Sequence, residues 1–338
     1  MTMSLLNATD LSVEYTTSSG ILKAVDGIDI SIERGQTLGI VGESGCGKST
    51  VAKSLLRTLD ENGKITNGEI LFEENDLSSM SSKELNEKIR WKEISYIPQN
   101  AMNALDPVFT VGSQMIEVVQ THTDLSKAEA RKRSEDRLAD VGLEGERMRD
   151  YAHELSGGQQ QRVVIALALL LEPALIIADE ITTGLDVVTQ DEVLELIADI
   201  QRDLGSGMLF ITHDISAIAE VADRLAVMYG GDIVEIGEIE NVFEETTHPY
   251  TIGLQNAFPS LESSPESNPL ISIPGTPPDL FSPPSGCKFI DRCPFSTDKC
   301  QEEPPLIEVD EAGHKSKCHY NNKSEEFRKE GKKAETWA

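Results

Sequence analysis

The chain has 338 residues, enough for one large domain or two unequal ones, and its 39% of hydrophobic residues is sufficient for a packed core. Its 58 acidic and 30 basic residues give a formal net charge of −28. Such a surface repels phosphate backbones, which excludes nucleic-acid binding as its task. No apolar run approaches the ~20 residues that span a bilayer, and MTMSLLNATD lacks the pattern of a signal peptide. We therefore expect a soluble chain that stays in the cytoplasm.

The first quarter of the chain has the pattern of strands. LSVEY (11–15) and AVDGIDISI (24–32) alternate between apolar and polar residues, as half-buried strands do. TLGIV (37–41) is a continuous apolar run, which is typical of a strand buried on both faces. The glycine-rich stretch 42–50 follows it and leads into VAKSLLRTL, whose apolar spacing predicts a helix.

Strands and helices then alternate along the chain. Further strand signals lie at 68–77, 94–100, 175–179, 208–213 and 225–237. Residues 101–165 are mostly helical and charged, and TQDEVLELIADIQRDL predicts another long helix. Strands separated by helices predict an α/β core, in which the block at about 101–165 is a helical insertion.

The composition changes near residue 262. SSPESNPLISIPGTPPDLFSPPSG is rich in proline and serine, and the polar tail 321–338 is expected to be loosely ordered. We therefore predict two regions, 1–262 with the α/β core and 263–338 as a C-terminal extension. No internal repeat is visible, so we expect one nucleotide-binding module.

The glycine-rich stretch is a candidate phosphate-binding loop. Gly42, Gly47, Lys48 and Ser49 match the pattern G-x-x-x-x-G-K-S, between a predicted strand and a predicted helix. In such a loop backbone N–H groups surround phosphate oxygens, the lysine reaches the β and γ phosphates, and the serine hydroxyl ligates Mg²⁺. An ordinary glycine turn would not require a strand before it and a helix after it.

Two acidic residues follow the buried strand LIIAD directly. Asp179 at its end can hold the shell of a Mg²⁺ ion, and Glu180 can polarise a water molecule for attack on the γ-phosphate. A surface acidic pair is the alternative interpretation, but the combination with the phosphate-binding loop weighs against it.

The segment 155–159 reads LSGGQ and precedes the helical stretch QQRVVIALALLLEP. LSGGQ is the signature of the ATP-binding subunits of ABC transporters, which the chain resembles from about residue 11 to 240. Other family motifs occur in the family's order. Tyr15 corresponds to the aromatic residue that stacks on adenine in the family, and Gln99 corresponds to the Q-loop glutamine. Residues 181–186 correspond to the D-loop, and His213 corresponds to the switch histidine.

This resemblance implies an ATPase with ATP and Mg²⁺ as its cofactors. The implied nucleotide-binding residues are Tyr15, Gly42, Ser44, Gly45, Gly47, Lys48, Ser49, Thr50, Gln99, Ser156, Gly158, Gln159, Asp179 and His213. Ser49, Gln99 and Asp179 are the implied Mg²⁺ residues, and Glu180, His213 and Gln99 the catalytic ones. The implied fold is a P-loop NTPase core of the ABC type with an antiparallel β subdomain, a helical insertion and a small irregular extension that contains cysteines.

The chain departs from the family pattern in the D-loop. Ile181 stands where proline is usual, and Gly184 stands where alanine or serine is frequent. Neither side chain does chemistry, so the change bears on the stiffness of the loop. In the family the signature completes the site of a partner, so Ser156 and Gly158 would cap ATP held by a sister subunit or a second copy.

The C-terminal part resembles the extension of the oligopeptide/dipeptide importer ATPases, a group that includes nickel importers. HPYT (248–251), IPGTPPDL, GCKFIDRCPFSTDKC and KCHY occur in that order, and NAMNALDPVFTVGSQM upstream resembles the same group. The resemblance implies a subunit on the cytoplasmic face of the membrane that powers peptide uptake. Its partners would be two transmembrane permease subunits and, indirectly, an extracellular substrate-binding protein. Uptake of nickel or another solute, and a non-transport ATPase that remodels a complex, stay open.

Four cysteines cluster near the end of the chain, at Cys287, Cys293, Cys300 and Cys318. Clustering of cysteines in a cytosolic chain favours metal binding over disulfides. The sequence has no Cys-x-x-Cys pair here, however, which weakens the interpretation as a zinc site. Some members of the importer group carry a [4Fe–4S] cluster on these cysteines, so the resemblance implies one here. Zinc, or four reduced thiols without metal, are the alternatives.

Overall fold

The computed structural model describes residues 4–99, 103–257 and 271–337. It divides into two compact units whose segments interleave along the chain. Unit 1 consists of residues 1–7, 31–37 and 71–211, and unit 2 of residues 8–30, 38–70 and 212–338. The predicted boundary at 262 lies outside the described residues, so the division into 1–262 and 263–338 stays a prediction.

Twelve strands are assigned in the described part of the chain. The first six are β1 (Leu6–Thr17), β2 (Gly20–Ile32), β3 (Thr37–Val41), β4 (Gly63–Phe72), β5 (Asn75–Asp76) and β6 (Ile94–Ile97). The others are β7 (Leu175–Asp179), β8 (Gly207–Thr212), β9 (Arg224–Tyr229), β10 (Asp232–Glu238), β11 (Ile307–Glu308) and β12 (Lys315–Ser316).

Ten α-helices are assigned in the same residues. They are α1 (Lys48–Leu55), α2 (Ser82–Glu84), α3 (Val111–His122), α4 (Lys127–Asp140), α5 (Gly157–Ala168), α6 (Val187–Leu204), α7 (Ile215–Val221), α8 (Ile239–Glu244), α9 (Pro249–Ala257) and α10 (Ser324–Gly331). One π-helical turn (Leu85–Ile89) and short 3-10 turns at Gly145–Arg149, Ala152–Glu154, Asp298–Gln301, Asn321–Lys323 and Ala334–Trp337 complete the set.

Unit 1 contains three parallel strands in the order β8-β7-β6. Every residue of β7 is buried, as its continuous apolar run predicts. Helices α3 to α6 form the helical part of this unit, and α5 contacts α3, α4, α6 and β6. The helix starts follow capping signals in the sequence, since Thr110 caps α3 and Ser126 caps α4 through a capping box with Glu129.

Unit 2 contains a sheet in the order β11-β12-β10-β9-β3. β3 and β9 are parallel, whereas β9, β10, β12 and β11 pair antiparallel. Most of β2, β1 and β4 also belongs to this unit, and the three strands lie side by side in that order. The α/β core, the β subdomain and a helical insertion are thus the elements that the sequence predicts, and the bounds of about 101–165 for the insertion stay a prediction.

Two local predictions are wrong. The stretch 225–237 is not one strand, because Gly230 and Gly231 take positive φ values and turn the chain between the antiparallel strands β9 and β10. The tail 321–338 is not loosely ordered, since α10 lies in it. Its Phe327 is buried and stacks on Phe295 with ring centroids 4.2 Å apart, and Trp337, the last described residue, is buried as well. The two aromatic side chains supply apolar area that the polar average composition of the tail conceals.

Candidate functional site

The candidate phosphate-binding loop follows β3 in unit 2 and leads directly into α1. Gly45 and Gly47 have φ values of 82° and 112°, which side chains rarely tolerate. A Cβ on Gly42 would lie 2.1 Å from the carbonyl oxygen of Met228, and one on Gly47 would lie 2.3 Å from that of Ala24. Glycine is therefore required at both motif positions, and the loop places backbone N–H groups at the start of a helix.

The motif lysine is buried within its own loop. Lys48 is only 4% exposed, and its Nζ donates hydrogen bonds to the carbonyl oxygens of Gly42 at 2.8 Å and Glu43 at 3.1 Å. An ammonium held this way is pre-positioned beside the loop that would receive phosphate. Cys46 in the same loop is buried, and burial raises the pKa of its thiol, so it is a packing residue and not a nucleophile.

Two more predicted residues of unit 2 lie at strand ends. Tyr15 lies near the end of β1 with its ring against Gly63, where an added Cβ would approach Tyr15 Cε1 to 2.7 Å. His213 is exposed and directly follows β8, and Asp214 next to it caps α7 by accepting from the Ser216 N–H at 2.8 Å. The turn after β8 is thus fixed by a local cap.

In unit 1, Asp179 is buried at the end of β7 with 2% exposure. Tyr96 on the neighbouring strand β6 donates a hydrogen bond from its hydroxyl to Asp179 Oδ2 at 3.0 Å. Burial, and the carboxylate as its neighbour, raise the pKa of Tyr96, so the phenol remains a donor at neutral pH. The bond fixes the orientation of a carboxylate that the sequence nominates for Mg²⁺.

Glu180 follows Asp179 and has the unusual φ of 49°. Its N–H donates to the carbonyl oxygen of Ile211 at 2.8 Å, and its Oε2 accepts from the Gln99 side-chain amide at 2.6 Å. A non-glycine residue with positive φ indicates a backbone held by its surroundings, and such positions concentrate at functional sites. The structure thus brings together two of the three predicted catalytic residues, Gln99 and Glu180.

The LSGGQ segment forms the start of α5 in unit 1. Ser156 is exposed, and its hydroxyl accepts from the Gln159 N–H while the Gln159 side chain accepts from the Ser156 N–H at 3.0 Å. This capping box is the ordinary structural function of such a pattern. Gly158 lies close to α6, since an added Cβ would approach Thr189 Cγ2 to 3.2 Å. Ser156 is thus the exposed residue of this helix start, whereas Gly158 and Gln159 are half-buried.

The four C-terminal cysteines of unit 2 are all free thiols and line one small cavity, here called the thiol pocket. Its other lining residues include His248, Phe289, Phe295 and Phe327. Burial raises the pKa of Cys287 to about 11 and that of Cys318 to about 12. Residues 4–99, 103–257 and 271–337 nevertheless contain no group of three or more His, Cys, Asp or Glu side chains arranged to hold a metal ion. The expected iron–sulfur site is therefore not supported by the geometry.

A membrane span is also absent from what the structure describes. Within these residues, no helix combines the length and the apolar character needed to cross a bilayer.

Solved structures with similar folds indicate the class of protein. The dimeric ATP-binding cassette MJ0796, in a post-hydrolysis state with ADP and Pi, matches with a TM-score of 0.63 and 27% identity, over 69% of this chain and 98% of that one. CbiO1 of Clostridium perfringens, part of an ABC transporter complex, matches with a TM-score of 0.61 and 31% identity, over 75% and 95%. The fold is that of an ABC ATPase with a P-loop NTPase core.

Family models and curated relatives narrow this class. Residues 25–183 match the ABC transporter family, and residues 234–300 match the C-terminal region of oligopeptide/dipeptide transporters. Dipeptide transport ATP-binding protein DppD of Bacillus subtilis is 44% identical over 93% of both chains. Oligopeptide transport ATP-binding protein OppD of Escherichia coli is 43% identical over 90% of both. The chain therefore belongs to the oligopeptide/dipeptide family of ABC transporter ATP-binding proteins.

Sequence reasoning missed several residues that contact the predicted ones. Tyr96 precedes Gln99 by three residues, but nothing in ISYIPQN indicates that its hydroxyl reaches Asp179. Glu43 occupies a variable position of the loop pattern, yet Tyr250 and Arg292, both more than 200 residues later, bond to it. The motif HPYT drew attention to Tyr250 but did not indicate its contact with Glu43. No local signal in the sequence could have indicated that Arg292 pairs with Glu43.

Proposed function

We propose that this protein hydrolyses ATP to power the uptake of oligopeptides or dipeptides through a partner permease. The observation that carries the proposal is the loop at 42–50, where glycines are required by sterics and Lys48 is held beside the loop. Relatives named as dipeptide and oligopeptide transport ATP-binding proteins, which align along most of this chain, support the choice of cargo.

We assign the chemical roles residue by residue. The backbone of the loop and Lys48 bind the phosphates, and Ser49 and Asp179 hold Mg²⁺. Glu180 acts as the general base that polarises the attacking water, and Gln99 orients its carboxylate, which is supported by their 2.6 Å hydrogen bond. Other proposed nucleotide contacts are those of Tyr15, Ser44, Thr50 and His213.

We further propose that two nucleotide-binding modules share their sites. The start of α5, with the exposed Ser156 and the half-buried Gly158 and Gln159, would cap ATP bound by a second module, either another copy or a sister subunit. The dimeric state of the structural neighbour MJ0796 supports such a pairing. ATP would then act between the modules, and hydrolysis would let them separate.

A groove in unit 1 is the surface that we propose for permease docking. It has a volume of 570 Å³, and its lining includes Ile116, Met148, Lys127 and Arg131 along α3, α4 and the turn after them. Val108 and Phe109, just before α3, are 73% and 54% exposed, which is unusual for large apolar side chains in successive positions. Two permease subunits that contact such a surface would hold the protein at the cytoplasmic face of the membrane.

The last part of the proposal concerns metal binding by the four C-terminal cysteines. All four line one cavity, but no group of three or more His, Cys, Asp or Glu side chains among the described residues is arranged to hold a metal ion, which counts against a [4Fe–4S] cluster. We therefore assign an iron–sulfur cluster no step in hydrolysis. Iron and zinc analysis of anaerobically purified protein tests it, since a cluster requires about four irons per chain. One zinc, or no metal, would replace the cluster by one of the two alternatives.

The experiment that tests the function is reconstitution with its permease subunits and substrate-binding protein in lipid vesicles. We expect ATP hydrolysis that is stimulated when the binding protein carries a peptide, with peptide uptake, and neither in a Lys48→Ala variant. Stimulation by a nickel-loaded binding protein instead would establish the nickel alternative. An ATPase that associates with no permease and responds to no binding protein would favour the non-transport reading.

A further inference from the structure

Arg292 in the C-terminal extension forms a two-pronged ion pair with Glu43 in the phosphate-binding loop. Its Nη1 lies 2.7 Å from Glu43 Oε2, and its Nη2 lies 2.9 Å from Glu43 Oε1. Both residues belong to unit 2, and the arginine side chain is only 6% exposed. Paired, charge-assisted bonds of this kind are the strong ones among protein hydrogen bonds. The extension therefore reaches directly into the loop that we assign to ATP.

The remaining donors of the Arg292 guanidinium are also satisfied. Its Nε donates to the carbonyl oxygen of Pro274 at 2.8 Å, and Nη2 donates to that of Ile273 at 3.3 Å. Nη1 donates to the hydroxyl of Tyr229 at 3.3 Å. All five N–H donors thus have an acceptor, two of them on Glu43, which only the planar fork of arginine provides. This position is built for arginine and not for any cation.

Glu43 is held through its backbone as well. Its N–H donates to the hydroxyl of Tyr250 at 3.0 Å, and its carbonyl oxygen accepts from Lys48 Nζ at 3.1 Å. To reach phosphate oxygens, Lys48 must exchange its bonds to the carbonyls of Gly42 and Glu43. The contacts from Tyr250 and Arg292 do not depend on that exchange, so they keep Glu43 in place when the lysine moves.

An aromatic cluster supports the two anchoring residues. Tyr229, Tyr250 and Phe289 are buried, with ring centroids 4.5 to 5.3 Å apart. The guanidinium carbon of Arg292 lies 5.7 Å from the centre of the Tyr229 ring. Such packing fixes the rotamers of both anchors, which is what a positioning role requires.

Charge gives the pair a second consequence. Glu43 occupies the first variable position after Gly42, so its carboxylate belongs to the same short loop that we assign to a polyanionic ligand. An unpaired carboxylate there would repel the phosphates, and the repulsion would be strong because the site is partly shielded from water. The guanidinium of Arg292 compensates this charge at hydrogen-bond distance.

From these contacts we propose that Arg292 and Tyr250 are positioning residues for ATP binding, which act through Glu43. Arg292 cancels the charge of the Glu43 carboxylate, and together with Tyr250 it holds the loop in the shape that receives the phosphates. The C-terminal extension then contributes to ATP binding through its contact with the phosphate-binding loop. The proposal rests on the assignment of the loop to ATP made under the proposed function.

A purely structural anchor is the competing explanation, and the chain offers a matched control for it. Arg328 in α10 also ties the extension to the preceding part of unit 2, by donating to the carbonyl oxygen of Thr246 at 2.9 Å and by pairing with Glu245. Neither of these two partners belongs to the loop at 42–50. An Arg328→Met variant therefore removes another arginine anchor of the extension without touching Glu43.

The test measures the ATP Kd with a fluorescent nucleotide, and KM and kcat for hydrolysis, on the full-length chain. We expect Arg292→Met to raise Kd and KM by about tenfold or more, the scale of a lost charge-assisted hydrogen bond, with a smaller effect on kcat. Arg292→Lys keeps the charge without the fork and should give an intermediate value. Arg328→Met should leave Kd and KM at the wild-type value.

A double variant separates charge compensation from folding. Glu43→Gln removes the carboxylate, so adding it to Arg292→Met should restore much of the lost ATP affinity instead of lowering it further. Simple additivity of the two losses, or wild-type Kd in both Arg292→Lys and Arg292→Met, would overturn the proposal. If Arg292→Met does not fold, Arg292→Lys and the double variant decide. Normal ATP binding by Lys48→Ala would overturn the loop assignment, and this inference with it.

Discussion

The side-chain amide of Gln99 donates a hydrogen bond to the Glu180 carboxylate over 2.6 Å. Gln99 follows the end of β6 and Glu180 follows the end of β7, and these strands are parallel neighbours, so both side chains leave the sheet at the same edge. A carboxylate held by an amide donor has a defined direction, as a general base requires.

A Glu180→Gln variant tests this role. The substitution keeps the shape of the side chain and removes its basic group, so ATP should still bind while phosphate release falls by about 10²-fold or more. The matched control is Glu195→Gln, which neutralises an exposed glutamate of α6 and should leave turnover unchanged. Near-normal hydrolysis by Glu180→Gln would remove Glu180 from the role of base.

A Lys48→Ala variant should fail at an earlier step. It deletes the ammonium that we assign to the β and γ phosphates, so nucleotide binding itself should weaken, measured by titration with a fluorescent ATP analogue. Lys53→Ala is the control, because Lys53 is in the same helix α1 and pairs only loosely with Asp60 at 3.3 Å. Equal affinities of the two variants would contradict the assignment of Lys48.

The sequence predicted the strands around the candidate site well, for a physical reason. The runs TLGIV and LIIAD match β3 and β7 to the residue, because strands buried on both faces are mostly apolar. The motif glycines were equally predictable, since Gly42 and Gly47 approach backbone atoms too closely for any side chain.

Other parts of the site could not be predicted, because they depend on contacts between distant parts of the chain. The pair of Glu43 and Arg292 joins residues 249 positions apart, and neither position carries a local signal for the other. The prediction of a loosely ordered tail at 321–338 was wrong for a different reason. Its average composition is polar, but two aromatic residues at fixed positions, Phe327 and Trp337, are buried and hold the tail in place.

Shared sites predict that activity depends on protein concentration. If Ser156 caps ATP held by a second module, the specific ATPase activity of the isolated chain should rise with its concentration, or on addition of a sister subunit. Rates measured over a hundredfold dilution series, with light scattering to follow assembly, check this. Specific activity that stays constant across a series of monomers would contradict the shared-site arrangement.

Stability should fall as the pH drops below neutrality, because of a buried histidine in unit 2. His248 is 1% exposed, and its Nδ1 accepts a hydrogen bond from the Tyr250 N–H at 3.1 Å at the start of α9. Burial lowers the pKa of His248 to about 4, against the attraction of the nearby Glu235 carboxylate and with the added repulsion of Lys317. The neutral ring is thus the form that the fold requires.

The direction of this pH dependence follows from the lowered pKa of His248 in the folded state. The unfolded chain binds a proton at His248 near pH 6.5 and the folded chain only near 4, so this stability is complete above pH 6.5 and is lost as the pH falls towards 4. The free energy of unfolding from urea titrations should decrease between pH 7 and pH 5 by up to about 1.4 kcal/mol per pH unit from this one group. His248→Asn keeps an acceptor at the helix start without a titrating ring, so its profile should be flatter by that amount. The control His153→Asn changes an exposed histidine and should keep the wild-type slope. Equal slopes for His248→Asn and the wild type would show that another group controls the acid sensitivity of the fold.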